Sequence, residues 1–196
     1  MLAMDGPRSY IPVMPLPASI SADAMRRLTP TNKRSELVRG IMAVREPPGY
    51  RHGQVAARLA TTLMNYADDR GLGEVLAAET GFKLFSDPDT VRAPDVAFVS
   101  RERLPDPVPE GFATFAPDLV VEVLSPSDPP GEVLAKVADW LSAGSALVWV
   151  VDPVHQRARV YRAEGSVALV TRDGALDGED VLPGFTCPLA TLSLRA

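Results

Sequence analysis

Between Glu74 and Thr171 the chain is a series of short apolar runs, EVLAAE, FKLF, DVAFVS, DLVVEVL, ALVWVV, RARVYR and VALVT, none longer than seven residues. Runs this short, rich in β-branched residues and bounded by turn signals such as Asp87-Pro88-Asp89-Thr90 and Asp152-Pro153, read as strands. Two longer stretches carry a helical period instead. From His52 to Arg70, Val55, Leu59, Leu63 and Tyr66 recur every three or four positions, and Gly71 follows where a left-handed C-terminal residue is usual. A second helix, about Gly131 to Ala143, lies between two strands and stops at Gly144. Ahead of these, Ser21 caps a short helix through Leu28, TPTNKRS reads as a loop, and ELVRGIMAVRE reads as one extended segment ended by Pro47-Pro48-Gly49. The expected fold class is α/β, with a central mixed β-sheet flanked by helices.

At 196 residues and 46% hydrophobic content the chain suits one compact core. We expect a single domain over residues 21–196, preceded by a flexible arm over residues 1–20. That arm begins MLAMDGPRSYIPVMPLP, and Asp5, Arg8 and four prolines interrupt it too often for a signal peptide. No apolar run is long enough for a membrane span, and the lone Cys187 has no intrachain disulfide partner, which suits a reducing cytoplasm.

The net charge of −5 argues against a wholly basic surface that coats nucleic acid. Charge is nevertheless uneven, because Arg26 to Arg58 holds eight basic residues against Glu36 and Glu46. That segment either tracks phosphates or consists of scattered solvated arginines. Two histidines and one cysteine cannot supply a typical structural zinc site, and no glycine-rich phosphate loop is present. Ser125 and Ser127 have no histidine nearby and read as a loop turn.

Glu122 interrupts the apolar run of PDLVVEVLSPSD. Strand alternation places it on one face with Val120 and Leu124, leaving Leu119, Val121 and Val123 on the other. An unpaired carboxylate among apolar neighbours costs several kcal/mol, so an arginine, backbone donors or a metal ion must compensate it. Asp95 stands at the head of DVAFV directly after Pro94, which favours an extended approach to the strand. Two carboxylates on neighbouring strands could face one cleft and hold a hard cation such as Mg²⁺ with waters and phosphate oxygens. Taken singly, Glu122 fits a buried ion pair and Asp95 an ordinary turn aspartate.

The ordered set SELVRG, YRHGQVAARL, VRAPDVAFV, APDLVVEVLSPSD, KVADWLSAG, VWVVDP and LPGF resembles the Uma-type family of restriction-endonuclease-like proteins, within the PD-(D/E)XK nuclease superfamily. The resemblance runs from Ser21 to Leu192. It implies a restriction-endonuclease-like core in which Asp95 and Glu122 hold Mg²⁺, with Mn²⁺ as substitute. The family's strand lysine would stand two residues after the glutamate, where this chain has Leu124. A lysine on the following helix, Lys136, matches the alternative position. Glu36 matches an additional acid near the metal, and His52 a recurrent histidine. Without the resemblance, Lys136 is a solvated lysine on a helix whose Val133, Val137 and Trp140 face the sheet, Glu36 pairs with Arg39 or Lys33, and His52 opens its helix.

The implied activity is hydrolysis of DNA phosphodiester bonds by a divalent-metal-dependent endonuclease. Lys136 would orient or deprotonate the attacking water, or offset charge in the transition state. The alternative is a non-catalytic DNA-binding or assembly module that keeps the fold, and the direction in which Lys136 projects separates the two. A nuclease acting on RNA or branched DNA is compatible with the same residues. Tyr10, Ile11, Val13 and Leu16 in the arm suggest a homodimer, whose twofold axis would match that of a duplex. Asp95→Asn and Glu122→Gln are both expected to keep the fold while losing metal-dependent cleavage.

Overall fold

The computed structural model describes residues 19–28 and 34–192. Nearly all of the expected N-terminal arm, including Tyr10, Ile11, Val13 and Leu16, lies outside the described residues. The chain begins with a short helix, α1 (Ala22–Leu28), and the strands β1 (Arg34–Val38) and β2 (Ile41–Arg45). The helix α2 (Tyr50–Arg70) leads to β3 (Gly73–Ala77), β4 (Phe82–Phe85), β5 (Thr90–Arg92), β6 (Val96–Ser100) and β7 (Leu119–Val123). Helix α3 (Pro130–Ser142) connects to β8 (Leu147–Asp152), β9 (Arg157–Arg162) and β10 (Val167–Val170), and the chain closes with β11 (Ala175–Asp177), β12 (Thr186–Pro188) and α4 (Leu189–Leu192).

Six strands form the central sheet in the order β10-β9-β8-β7-β6-β3. Only β7 and β8 pair in parallel; the other neighbours are antiparallel, so the sheet is mixed. A parallel pair needs a long crossover, and α3 supplies it. The alternation in β7 sorts the two layers. Leu119, Val121 and Val123 pack with Val55, Leu59 and Leu63 of α2, whereas Val120 packs with Val137 and Trp140 of α3. The expected central sheet between two helices is therefore present, with both faces of β7 covered and all five of its residues buried.

A second sheet, β2-β1-β5-β4, lies outside this frame. Here the expectation of one extended segment is corrected, because ELVRGIMAVRE folds back on itself as the β1–β2 hairpin with Val38 opposite Ile41. The two loop residues, Arg39 and Gly40, have φ of 49° and 76°. Two consecutive positive φ values match the twist of paired strands. At Gly40 an added Cβ would lie 2.4 Å from the Ser19 Cβ, so glycine is also sterically required there.

Local signals place the helices well. The Ser21 hydroxyl accepts from the Ala24 N–H at 3.2 Å, as a cap should, and Gly71 ends α2 with φ of 62°. Among the described residues no helix is long and apolar enough to cross a membrane.

Candidate active site

Asp95 immediately precedes β6 and is hydrogen-bonded to residues on both sides of Glu122. Its N–H donates to the Val121 carbonyl at 3.1 Å, and its Oδ2 accepts from the Val123 N–H at 2.7 Å. The antiparallel β6–β7 ladder thus seats the two acids beside each other. Glu122 faces α3, where its Oε1 accepts from Trp140 Nε1 at 2.9 Å and its Oε2 from Lys136 Nζ at 3.2 Å.

Lys136 projects inward. Its Nζ also lies 3.1 Å from Glu36 Oε1, and its side chain is only 17% exposed. Glu36 comes from β1 of the outer sheet, where Arg92 at the end of β5 donates to its Oε2 at 3.0 Å. Arg92 is itself anchored to Asp139 of α3 at 2.6 Å, so one buried guanidinium ties the outer sheet to the crossover helix. On the other side, Arg34 donates to Asp95 Oδ1 at 2.8 Å. His52, in the first turn of α2, places Nε2 3.1 Å from Asp95 Oδ2. An ionised carboxylate only accepts, so Nε2 carries the hydrogen, and Nδ1 is left buried without a hydrogen-bond partner.

These contacts set the protonation of the acids. Burial opposes the charged form of Asp95, but the His52 hydrogen bond and Arg34 outweigh it and hold the carboxyl below its ordinary range. Burial pushes Glu122 the other way. Lys136 only partly offsets that effect, and the charges of Asp95 and Glu36 reinforce it. For Glu36, burial is outweighed by Lys136 and Arg92, and its carboxyl is held low. Burial likewise disfavours the Lys136 ammonium, yet Glu122 and Glu36 overcome this and raise its pKa. Lys136 is therefore an ammonium at neutral pH. In that form it can orient water and stabilise negative charge.

Glu36, His52, Asp95, Glu122 and Lys136 all line one cleft of about 440 Å³. Seven carboxylates border it, Glu36, Glu46, Glu79, Asp95, Glu122, Asp128 and Glu132, against the three cations Arg34, Arg45 and Lys136. Such a field attracts cations and repels polyanions.

The donor set suits a hard cation. A carboxylate offers about four lone-pair sites. Three bonds reach Asp95 and two reach Glu122, so neither carboxylate is saturated. Among the described residues no three His, Cys, Asp or Glu side chains form a metal cage by themselves. Two carboxylates completed by water and substrate oxygens match the way Mg²⁺ is usually held.

Arg34, Arg92 and Trp140 were not singled out from sequence as members of this cluster. Arg92 stands three residues before Asp95, in a stretch that reads as a turn followed by VRAPD, and nothing local shows that it faces a helix 47 residues away. Trp140 was expected on the sheet-facing side of α3; its indole N–H, which needs a buried acceptor, was the signal that could have linked it to Glu122.

None of the curated proteins matches this chain. Among solved structures, a protein from Anabaena variabilis described as "a putative nuclease belonging to DUF820" superposes with a TM-score of 0.78, at 19% identity, over 88% of this chain and 97% of its own. At that identity the likeness speaks for the fold. The model of the Uma2 family, described as "Putative restriction endonuclease", matches residues 22–191. The arrangement of acids and lysine thus sits in a chain that belongs to the Uma2 family of restriction-endonuclease-like proteins.

Proposed function

We propose that this protein is a divalent-metal-dependent endonuclease that hydrolyses phosphodiester bonds of DNA, with Asp95, Glu122, Glu36 and Lys136 as its catalytic residues. The observation that carries this reading is the Lys136 ammonium held between Glu36 and Glu122 inside an acid-rich cleft, at 3.1 and 3.2 Å. Asp95 and Glu122 would hold Mg²⁺, with Mn²⁺ as substitute; when bound, the cation supplies Lewis-acid charge at the phosphoryl group and lowers the pKa of water.

The chain's own residues supply the remaining functions. Lys136, fixed by two carboxylates, presents positive charge where the phosphorane and leaving oxygen gain negative charge. Glu36 positions that ammonium and is itself positioned by Arg92. His52 and Arg34 orient the Asp95 carboxylate from opposite elements. The inward projection of Lys136 supports catalysis over a non-catalytic DNA-binding or assembly module. The same reading takes the protein as a homodimer, so that two sites meet a duplex along a shared twofold axis.

Nicking of supercoiled plasmid in Mg²⁺ or Mn²⁺, abolished by EDTA and by Glu122→Gln, is the expected result. Calorimetric titration should show Mn²⁺ binding to the wild type, weakened in that variant. Wild-type protein that binds no divalent ion and cuts neither DNA nor RNA would leave the non-catalytic module as the reading.

A further inference from the structure

The cations bordering the cleft differ in how freely each could leave its partner. Arg34 is held by the buried Asp95 and Lys136 by the buried Glu36 and Glu122. Withdrawing either would leave a carboxylate uncompensated in a poorly solvated position, which is costly. Arg45 is different. It ends β2, its side chain is 38% exposed, and it pairs with Glu132 of α3, which is 53% exposed. Ion pairs between exposed groups contribute little to stability, because water screens and replaces them easily.

The pair also joins two walls of the cleft. Arg45 belongs to the β2 side, whose chain continues through Pro47, Pro48 and Gly49 into α2, whereas Glu132 belongs to the first turn of α3. Acids stand on both sides near this point, with Glu46 next to Arg45 on the β2 side. On the β2 side, α2 begins with no side-chain cap and no acid in its first turn. Its backbone N–H groups therefore add positive potential. On the α3 side stand Asp128 and Glu132. A polyanion entering the cleft meets acids on both walls, and of the three cations bordering it Arg45 is the most exposed.

We propose that Arg45 is the residue through which the cleft takes hold of a substrate phosphate, and that Glu132 occupies its guanidinium as a carboxylate stand-in until substrate arrives. The inference rests on the nucleic-acid reading above and assigns to that site its first phosphate contact. A guanidinium exchanges carboxylate for phosphate without changing its planar, two-pronged hydrogen-bond geometry, so the swap needs little rearrangement. Glu132 in turn acts as a positioning residue: it keeps Arg45 over the cleft and makes weak polyanions compete for it.

Binding of a short fluorescein-labelled DNA duplex, read by fluorescence anisotropy in calcium across a salt series, tests this. Arg45→Ala should weaken binding severalfold and flatten the log–log salt dependence by about one. Glu132→Gln should tighten binding by up to about fivefold, the size expected for release of one exposed ion pair. The decisive arm is the double variant, in which the gain from Glu132→Gln should vanish once Arg45 is alanine. A gain that persists would mean Glu132 acts only by general repulsion and would overturn the exchange. Unchanged affinity and salt slope in Arg45→Ala would overturn the phosphate contact while leaving the nuclease reading standing. A wild type that binds no duplex would overturn both. Circular dichroism spectra, expected to match the wild type because both side chains are at the surface, exclude misfolding as the cause.

Discussion

Lys136 on α3 donates to Glu122 on β7 across 3.2 Å, a contact between residues fourteen positions apart. The ammonium that a nuclease strand would carry two residues after its glutamate reaches the acid here from the crossover helix. Replacing it with methionine keeps the stem and removes the charge. Lys136→Met should lower single-turnover cleavage about 100-fold or more, the usual cost of losing one preorganised charge-stabilising group. Mn²⁺ affinity, measured by calorimetry, should not fall, because a competing cation has been removed from Glu122. Lys136→Arg should recover part of the rate.

The two acids proposed to hold the metal should respond differently to neutralisation. Asp95 accepts from Arg34, His52 and the Val123 N–H, and an asparagine, with one acceptor oxygen, cannot serve all three. Asp95→Asn should therefore destabilise the apo protein by about 2 kcal/mol. Glu122 is pressed toward its neutral form by burial and by Asp95 and Glu36. Glu122→Gln should cost less than Asp95→Asn, or even stabilise the apo protein. Paired urea titrations would show the order of midpoints.

Acid titration should separate the same groups. Glu36 and Asp95 have folded pKa values below their ordinary 4.5 and 3.8. The unfolded chain protonates them first, so their stabilisation is complete above those ordinary values and is lost as pH falls through the depressed ones. Glu122 has a raised folded pKa, so the fold takes up its proton first and gains stability as pH falls from the raised value toward 4.5. The apo wild type should show a gain or plateau on mild acidification, then a steep loss. Glu122→Gln should abolish the gain and keep the loss, as read from unfolding midpoints between about pH 7 and pH 3.

Arg92 offers a test of the scaffold. It is 4% exposed and bonds Glu36 and Asp139 together. Arg92→Met leaves Asp139 without its guanidinium and Glu36 with Lys136 as its remaining cation, and should cost about 3 kcal/mol in chemical denaturation. Arg92→Lys should recover only part of this, since one ammonium cannot reproduce the guanidinium fork.

Light scattering at micromolar concentration should give a mass near twice 21.0 kDa if the expected dimer forms. Deleting residues 1–18 should return it to monomer if the arm is the clasp.

Much of this protein was determined locally. The helical period of His52 to Arg70, the left-handed Gly71, the cap at Ser21 and the alternation in LVVEV depend on neighbours within a few positions, and the structure reproduces each. Glu122 could be recognised from its own strand as an acid needing compensation, because the cost of burying charge depends on which face it occupies. What compensates it was not local. The hairpin at Arg39-Gly40 folds β1 so that Glu36 meets Lys136, and the β6–β7 ladder sets Asp95 against Val123. Nothing local in the sequence marks Arg34, Arg92 or Asp139 as members of buried ion pairs. Strand pairing and the α3 crossover bring Arg34 to Asp95 and Arg92 to both Glu36 and Asp139, dozens of residues away, and an ion pair has no sequence period by which to announce its partner. Tertiary structure alone decided which charges are locked inside and which, as at Arg45 and Glu132, are free to exchange, because that depends on the water each pair retains.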